Sequence, residues 1–282
     1  DMGVHSLHAI GVISQFCKDL SFRNVQFEPG EGSGRILASS ADFLHFSGCA
    51  GKINVQGCRF SGAQDDCINV HGTYLVLEEI VPEQKLRLRF AHHQTYGMQA
   101  FWPGDTISFV NRESLQTVAT TVVDSVCRLS DREVLLTVNQ LIPQEIRERE
   151  YVIENLTWTP EVEICNNYFT RTSTRGTLIT TPRKSVIRDN VYEKVGMSAI
   201  FISGDAKNWY ESGAVKDLTI SNNRFIDCAY NNGSKGAVIL IEPTNSADDE
   251  PVHETIRIIS NRFESEGREP VISKSVRNLI VE

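Results

Sequence analysis

Long hydrophobic runs, clusters of positive charge and closely paired cysteines are all missing from this sequence of 282 residues. No apolar run approaches the roughly 20 residues that a helix needs to span a bilayer, so no membrane span is predicted. Lys and Arg number 28 against 36 Asp and Glu, which gives a formal net charge of −8. This balance disfavours binding to nucleic acid or to an anionic membrane and suits a neutral substrate better than a polyanion.

The cysteines number seven and include no short Cys-x-x-Cys pair. An odd count with this spacing argues against a zinc site and against a dense disulfide framework, so they are predicted to be small core residues. The sequence also lacks a phosphate-cradling glycine loop, a Gly-x-Ser-x-Gly nucleophile turn and a His-Glu-x-x-His metal motif. We expect no metal and no other cofactor.

One short pattern recurs along the chain: an alternating apolar strand, a turn that contains Asn, and then an aromatic residue. Its six copies lie at 20–27, 53–60, 162–169, 186–192, 218–225 and 256–263. Four copies share Asn-x-aromatic, at Asn167, Asn190, Asn223 and Asn261. Because Asn tolerates left-handed backbone angles and can bond to its neighbour in the next coil, these residues are predicted to form a structural turn ladder rather than a site.

A second short strand follows most copies, at 43–46, 67–71, 177–181, 199–202, 237–241 and 271–273. The distance between copies varies while the strand pattern stays fixed, as in a solenoid whose loops leave one face. A single coil cannot bury its own apolar side, so stacking must make the core. The pattern predicts an all-β protein, a right-handed parallel β-helix.

The repeat is interrupted between Thr73 and Pro160. This segment carries four to six short alternating strands with polar turns, which favours a small antiparallel β-barrel or sandwich inserted into the helix. The predicted organisation is a first part of the β-helix at 1–73, an inserted barrel-like subdomain at 74–159 and a second part of the β-helix at 160–282.

Three aspartates stand where short strands begin. Asp42 and Asp66 are 24 residues apart, and this register aligns residues 44–46 with 68–70, apolar on apolar and polar on polar. The two aspartates are then equivalent positions on adjacent coils, roughly 5 Å apart. Asp65 needs a turn or bulge to face the same way.

Carboxylates packed this closely repel each other, which raises the pKa of at least one of them. One protonated and one ionised carboxylate is the arrangement that glycoside hydrolysis requires, with an acid for the leaving oxygen and a base for water. The alternative is that one or more of these aspartates merely caps a turn.

Six further residues are candidates for substrate binding: His45, Asn69, His71, Arg175, Trp209 and Glu211. A Trp beside a Glu can stack on a sugar ring while the carboxylate holds its hydroxyls, although Trp209 could equally anchor a loop. His71 could bond a sugar hydroxyl or tie down the exit to the inserted segment. His92 and His93, inside that segment, are predicted to be plain surface residues.

Four stretches resemble glycoside hydrolase family 110: Ala-Asp-Phe-Leu-His-Phe-Ser-Gly-Cys at 41–49, a second at 60–72 that contains Asp-Asp-x-x-Asn-Val-His-Gly, Arg-Gly-Thr-Leu-Ile-Thr-Thr at 175–181, and Trp-Tyr-Glu-Ser-Gly at 209–213. Members of that family are bacterial exo-acting α-1,3-galactosidases, some of which remove the terminal galactose of blood-group B. The family is inverting. At matching positions, the resemblance implies that Asp42, Asp65 and Asp66 form the catalytic group. By analogy with inverting β-helix hydrolases of pectin, Asp65 or Asp66 is the acid.

The resemblance implies an inverting exo-α-1,3-galactosidase that acts on an oligosaccharide or glycoconjugate. It points to a homo-oligomer and, through the substrate, to a secreted or periplasmic location. Because the chain opens on Asp1 rather than on Met, we expect a fragment of a longer protein. Two alternatives stay open: another β-helix polysaccharide hydrolase or lyase, and a non-catalytic β-helix that binds glycans.

Overall fold

The computed structural model describes residues 2–231, 236–246 and 250–282. In these ranges every regular element is a strand, and no helix is present that could cross a membrane. Most strands pair in parallel into three sheets, and six strands pair antiparallel and close into a barrel. The predicted fold class, a parallel β-helix with an inserted antiparallel barrel, is confirmed.

The strands are numbered in chain order. Sheet 1 stacks β1 Met2–Val4, β4 Val25–Phe27, β7 Arg59–Ser61, β16 Tyr168–Thr172, β19 Val191–Val195, β23 Arg224–Ile226 and β26 Arg262–Glu264. Sheet 2 stacks β3 Lys18–Arg23, β6 Ala50–Gln56, β15 Glu161–Cys165, β18 Ser185–Arg188, β22 Asp217–Ser221, β25 His253–Ile259 and β28 Val276–Val281. Sheet 3 stacks β2 Val12–Gln15, β5 Leu44–Ser47, β8 Ile68–Thr73, β17 Thr177–Ile179, β20 Ile200–Ile202, β24 Ala237–Ile241 and β27 Glu269–Ser273. A short strand, β21 Glu211–Ser212, pairs antiparallel with β8.

Each coil therefore has three strands, where the sequence pattern indicated at least two. The recurring apolar pattern is divided by a bend, as between β3 and β4, where Asn24 has a φ of 54°. In sheet 3, Leu44 pairs with Ile68 and Phe46 with Val70, which is the predicted register.

The asparagine ladder is present, but its residues do not take up the left-handed angles. The backbone N–H of Asn167 donates to Oδ1 of Asn190 at 2.9 Å, and that of Asn190 donates to Asn223 at 3.0 Å. The positive φ belongs to the preceding residue, 56° at Asn166 and 55° at Asn222. One residue makes the bend and the next satisfies buried backbone groups across coils, so the prediction of a structural ladder is confirmed and its assignment of the bend was wrong by one residue.

The aromatic residues of the repeats stack inside the helix. Phe60 lies 4.9 Å from Phe169, and Phe169 lies 4.4 Å from Tyr192, measured between ring centroids. Phe60 and Phe169 come from opposite sides of the insertion. The coils of the β-helix before and after the insertion therefore stack directly on each other.

The barrel contains β9 Leu75–Val81, β10 Lys85–Arg89, β11 Thr106–Asn111, β12 Thr117–Arg128, β13 Glu133–Val138 and β14 Tyr151–Asn155. Val76 pairs with Val152 across its first and last strands, so the chain enters and leaves the barrel side by side. The boundaries at 73/74 and 159/160 stay a prediction.

The cysteines are all free. Cys49, Cys58, Cys67, Cys165 and Cys228 are buried in the helix, as predicted. Cys17 is only half-buried, and Cys127 is exposed on the barrel, where the prediction of a core residue was wrong.

Candidate active site

The acid cluster, Asp42, Asp65 and Asp66, lies at the start of two neighbouring strands of sheet 3. Asp42 precedes β5, and a bend at residues 64–65 brings Asp65 and Asp66 to the start of β8. The backbone N–H of Asp66 donates to Oδ1 of Asp42 at 3.2 Å. One carboxylate oxygen of each aspartate lies within 4.8 Å of the other two.

Arg175 bridges two of these carboxylates. Its Nε donates to Oδ1 of Asp66 at 2.6 Å, and a terminal nitrogen donates to Oδ1 of Asp65 at 3.3 Å. It precedes β17, the next strand of sheet 3, so parallel stacking places its guanidinium beside the acids. The Asp66 side chain is 2% exposed and that of Asp65 is 46% exposed.

Burial favours the protonated form of two carboxyl groups in the acid cluster, those of Asp65 and Asp66. Burial raises the pKa of Asp66 well above its ordinary range, and Arg175 acts in the opposite direction. Burial also raises the pKa of Asp65, with repulsion from Asp42 as the next cause. Two carboxyl groups with raised pKa values in one cleft are typical of a functional site.

Two histidines extend the acid cluster along sheet 3. Nδ1 of His45 lies 2.7 Å from Oδ2 of Asp42, and the Nε2 atoms of His45 and His71 lie 3.0 Å apart. Nδ1 of His71 donates to the carbonyl oxygen of Gly72 at 2.5 Å. Burial lowers the pKa of His71.

Glu211 closes this row of side chains. It lies on β21, whose pairing with β8 brings it over the sheet. Nδ2 of Asn69 donates to its Oε1 at 3.2 Å, and Nε2 of His71 lies 3.5 Å from the same oxygen. The candidate residues from helix coils and from the 205–211 loop thus meet in one place.

The aromatic wall, Trp209 and His92, forms another side of the cleft. Trp209 is 58% exposed, and its ring centroid lies 5.0 Å from that of His92. His92 is only 8% exposed, so the prediction of a surface residue was wrong for it, whereas His93 is exposed. The sequence placed His92 in a separate subdomain and gave no sign that its loop reaches back to the helix.

These groups line a single cleft of about 260 Å³. It contains all nine candidate residues. Further members are Ile10, Ile13, Gln15 and Ala41 of the first coils, Gln94 and Thr95 of the inserted segment, and Leu178 of β17. The barrel members carry no motif that the sequence could have revealed.

The acid cluster has the oxygen ligands that a hard cation such as Ca²⁺ prefers. Two of its three carboxylates are already bonded to a guanidinium. We assign no metal to it, and the expected absence of a metal or other cofactor stays a prediction.

Fold and cleft together define a parallel β-helix protein with an acid cluster and an aromatic wall, an arrangement suited to carbohydrate chemistry. Residues 85–152 match the family model described as GLAA-B beta-barrel domain II. The chain is 49% identical over 279 residues to an alpha-1,3-galactosidase A of Bacteroides fragilis, across 98% of this chain and 46% of that protein. The resemblance to glycoside hydrolase family 110 is thereby confirmed.

Other relatives bear the same name. Alpha-1,3-galactosidase A of Bacteroides thetaiotaomicron is 42% identical, across 93% of this chain and 45% of that protein. That of Akkermansia muciniphila is 40% identical, across 93% and 43%. The chain spans about half the length of the curated relatives it matches. A tailspike of Acinetobacter baumannii bacteriophage AP22 also matches 93% of this chain and 53% of its own, but at 11% identity and a TM-score of 0.22 it carries no argument.

Proposed function

We propose that this protein is an inverting exo-glycoside hydrolase that removes terminal α-1,3-linked galactose from oligosaccharides or glycoconjugates. One observation carries the proposal: Asp42, Asp65 and Asp66 converge in the cleft of a chain that is 49% identical to a protein named alpha-1,3-galactosidase. The same substrate class makes a secreted or periplasmic location our proposal, and the family resemblance makes a homo-oligomer part of it.

In this proposal the acid is drawn from Asp65 and Asp66, whose pKa values are both raised. Asp65 delivers the proton, because its side chain is 46% exposed to the cleft and that of Asp66 is 2% exposed. Protonation of the glycosidic oxygen makes it a better leaving group.

Asp42 is the base that activates water. Its Oδ1 accepts a hydrogen bond from the backbone of Asp66, and its Oδ2 lies against Nδ1 of His45. These two contacts orient the Asp42 carboxylate in the cleft, with one of its oxygens within 4.8 Å of oxygens of Asp65 and Asp66.

The remaining candidates bind the glycan. His45, Asn69, His71, Arg175 and Glu211 offer hydrogen bonds to hydroxyl groups of the glycan, and Trp209 offers an aromatic face for the apolar side of one of its pyranose rings.

Inversion is the part that rests on the family resemblance alone. The oxygens of the acid cluster, within 4.8 Å of each other, are closer than the roughly 6.5–9.5 Å common in inverting enzymes and nearer to the roughly 5 Å of retaining ones. The anomer that is released first therefore distinguishes an inverting mechanism from a retaining one.

The test is incubation of the purified protein with linear and fucose-branched α-1,3-galactosides, with α-1,4- and β-linked galactosides as controls. NMR follows the released galactose, and we expect the β-anomer first. Asp65→Asn should lower kcat by about 10²–10⁴-fold, the usual contribution of a general acid, with an unchanged circular dichroism spectrum.

Initial release of the α-anomer would rule out inversion. Unchanged kcat in Asp65→Asn would rule out its role as acid. If the wild-type protein binds α-1,3-galactosides and releases no sugar, the glycan-binding alternative is correct instead.

A further inference from the structure

Arg112 of the inserted barrel contacts the cleft-lining loop at residues 205–211. Nε of Arg112 donates to the carbonyl oxygen of Ala206 at 3.2 Å, and a terminal nitrogen donates to the hydroxyl of Tyr210 at 3.1 Å. Its other terminal nitrogen donates to the carbonyl oxygen of Arg149 in the barrel at 2.9 Å. A planar guanidinium with fixed donors thus joins two parts of the fold.

The loop is stiffened from within at the same place. The buried carboxylate of Asp205 accepts hydrogen bonds from the backbone N–H groups of Lys207, Asn208 and Trp209, at 2.7, 3.0 and 2.9 Å. Lys207 also forms an ion pair with Glu113, the barrel residue next to Arg112. The backbone at Trp209 is therefore fixed both by Asp205 within the loop and by contacts with the barrel.

A second arginine holds the opposite member of the aromatic wall. A terminal nitrogen of Arg132 donates to the carbonyl oxygen of His92 at 3.1 Å, and the other donates to that of His93 at 3.2 Å. Its guanidinium carbon lies 3.8 Å from the ring centroid of Tyr96, so it also packs on the far end of the loop. Nδ1 of His92 lies 3.2 Å from Oγ1 of Thr95, which fixes the ring.

The exposure of the cleft residues separates a closed end from an open end. The side chains of Asp66 and His71 are 2% and 5% exposed, whereas Trp209 is 58% exposed. An enzyme that removes a terminal sugar encloses that sugar, and the rest of the glycan extends towards solvent. Trp209, the exposed member of the aromatic wall, lies at the open end, where a second sugar would extend.

We infer that Arg112 and Arg132 of the barrel are positioning residues that set the aromatic wall as a binding surface for the sugar next to the terminal galactose. This inference rests on the proposed function. It makes the barrel a determinant of which glycans are cleaved rather than a separate unit.

The test compares Arg112→Ala and Arg132→Ala with Arg87→Ala, a barrel arginine whose ion pairs among the described residues are with Glu79 and Glu133 of the same barrel. Two substrates are used, an α-1,3-galactosyl disaccharide and α-galactosyl fluoride, which has no second sugar. For the disaccharide we expect KM to rise about tenfold in the first two variants with kcat within about twofold, the size of one lost aromatic contact. With the fluoride, KM and kcat of both variants should equal those of the wild type. Arg87→Ala should keep the wild-type KM and kcat for both substrates.

A second readout needs no catalysis. In a background of Trp102→Phe and Trp158→Phe, Trp209 is the one tryptophan left, and its quenching by acrylamide reports how firmly the wall is held. Quenching should increase in Arg112→Ala and should fall part of the way back in Arg112→Lys, which keeps the charge and a single donor nitrogen. Titration with the disaccharide should quench Trp209 in the parent and less in Arg112→Ala.

Unchanged Trp209 quenching and unchanged disaccharide KM in both arginine variants would overturn the inference. An equal rise in KM for the disaccharide and the fluoride would also overturn it, because the wall would then act on the terminal sugar. If the parent cleaves neither substrate, the proposed function fails, and the fluorescence titration still decides whether the wall binds sugar.

Discussion

The β-helix and the barrel solve the same problem, the burial of short strands, in opposite ways. In the helix each strand pairs in parallel with the equivalent strand of the next coil, and one continuous core runs through all coils. In the barrel neighbouring strands pair antiparallel and close on themselves around a second core that includes Leu86 and Phe109. A coil of the β-helix depends on its neighbouring coils to bury its apolar side, whereas the barrel closes on itself.

This difference decides how each region places chemical groups. The helix brings Asp42, Asp66 and Arg175 together because they occupy matching positions in successive coils. The barrel contributes His92 from a loop, and arginine contacts rather than strand register hold it there. Residues placed by register follow from the repeat, and residues placed by loops do not.

The largest effect is expected from a substitution that disrupts the continuous core of the β-helix. Phe169 is fully buried between Phe60 and Tyr192, so Phe169→Ala should lower the free energy of unfolding by about 3–5 kcal/mol. Urea denaturation measures the loss. Hydrogen exchange should show faster opening of the coils on both sides, with barrel amides much less affected.

The matched control is Phe109→Ala in the barrel core, where Phe109 is 1% exposed. We expect faster exchange in the barrel and little change in the coils around Tyr192. If both variants open the same amides, the two regions form one cooperative unit and the comparison fails.

An intermediate effect comes from Glu154, a buried carboxyl on β14 of the barrel. Burial raises its pKa to about 7. Its folded form therefore prefers the proton, and its contribution to stability is present below the ordinary pKa and is lost as pH rises through about 7. Between pH 4 and pH 8, Glu154→Gln should gain about 3 kcal/mol of unfolding free energy relative to the wild type.

Glu163 of the helix is the control with the opposite sign. Hydrogen bonds from Lys52 and Arg188 lower its pKa, so it stabilises the fold above its ordinary pKa. Glu163→Gln should therefore lose stability relative to the wild type as pH rises from 3 to 6. A Glu154→Gln difference that is flat from pH 4 to pH 8 would contradict the raised pKa.

The smallest effect on stability is expected at the cysteines, whose exposure differs between the two regions. Cys127 of the barrel is exposed, and five cysteines of the helix are buried. Burial raises the pKa of Cys49 to about 11, and because the thiolate is the reactive form, this thiol should be inert in the folded protein.

A colorimetric thiol reagent should therefore show a fast phase that Cys127→Ser removes, while unfolding free energy changes by less than about 0.5 kcal/mol. A fast phase that persists in Cys127→Ser with more than one equivalent would show that the coils open readily.

Much of the helix could be predicted because its pattern repeats. The register that pairs Leu44 with Ile68 and Phe46 with Val70 was available from the 24-residue offset between Asp42 and Asp66. The third strand per coil was missed because a single residue such as Asn24 makes the bend, too short an interruption to see in an alternating pattern. The site was predictable in the same part of the molecule. Its β-helix residues were predicted from the repeat and from the motif resemblance, whereas His92 of the inserted segment was missed.

The sequence by itself determined the stacked coils, the inserted barrel and the convergence of the acid cluster, because a repeat with period-2 alternation leaves one register that buries its apolar face. Only the tertiary structure decided how the two regions meet. The contacts of Arg112 with Ala206 and of His92 with Trp209 join the barrel segment to a loop of the β-helix through side chains that follow no period. Such contacts depend on the orientation in which the barrel packs on the helix, and no local pattern encodes it.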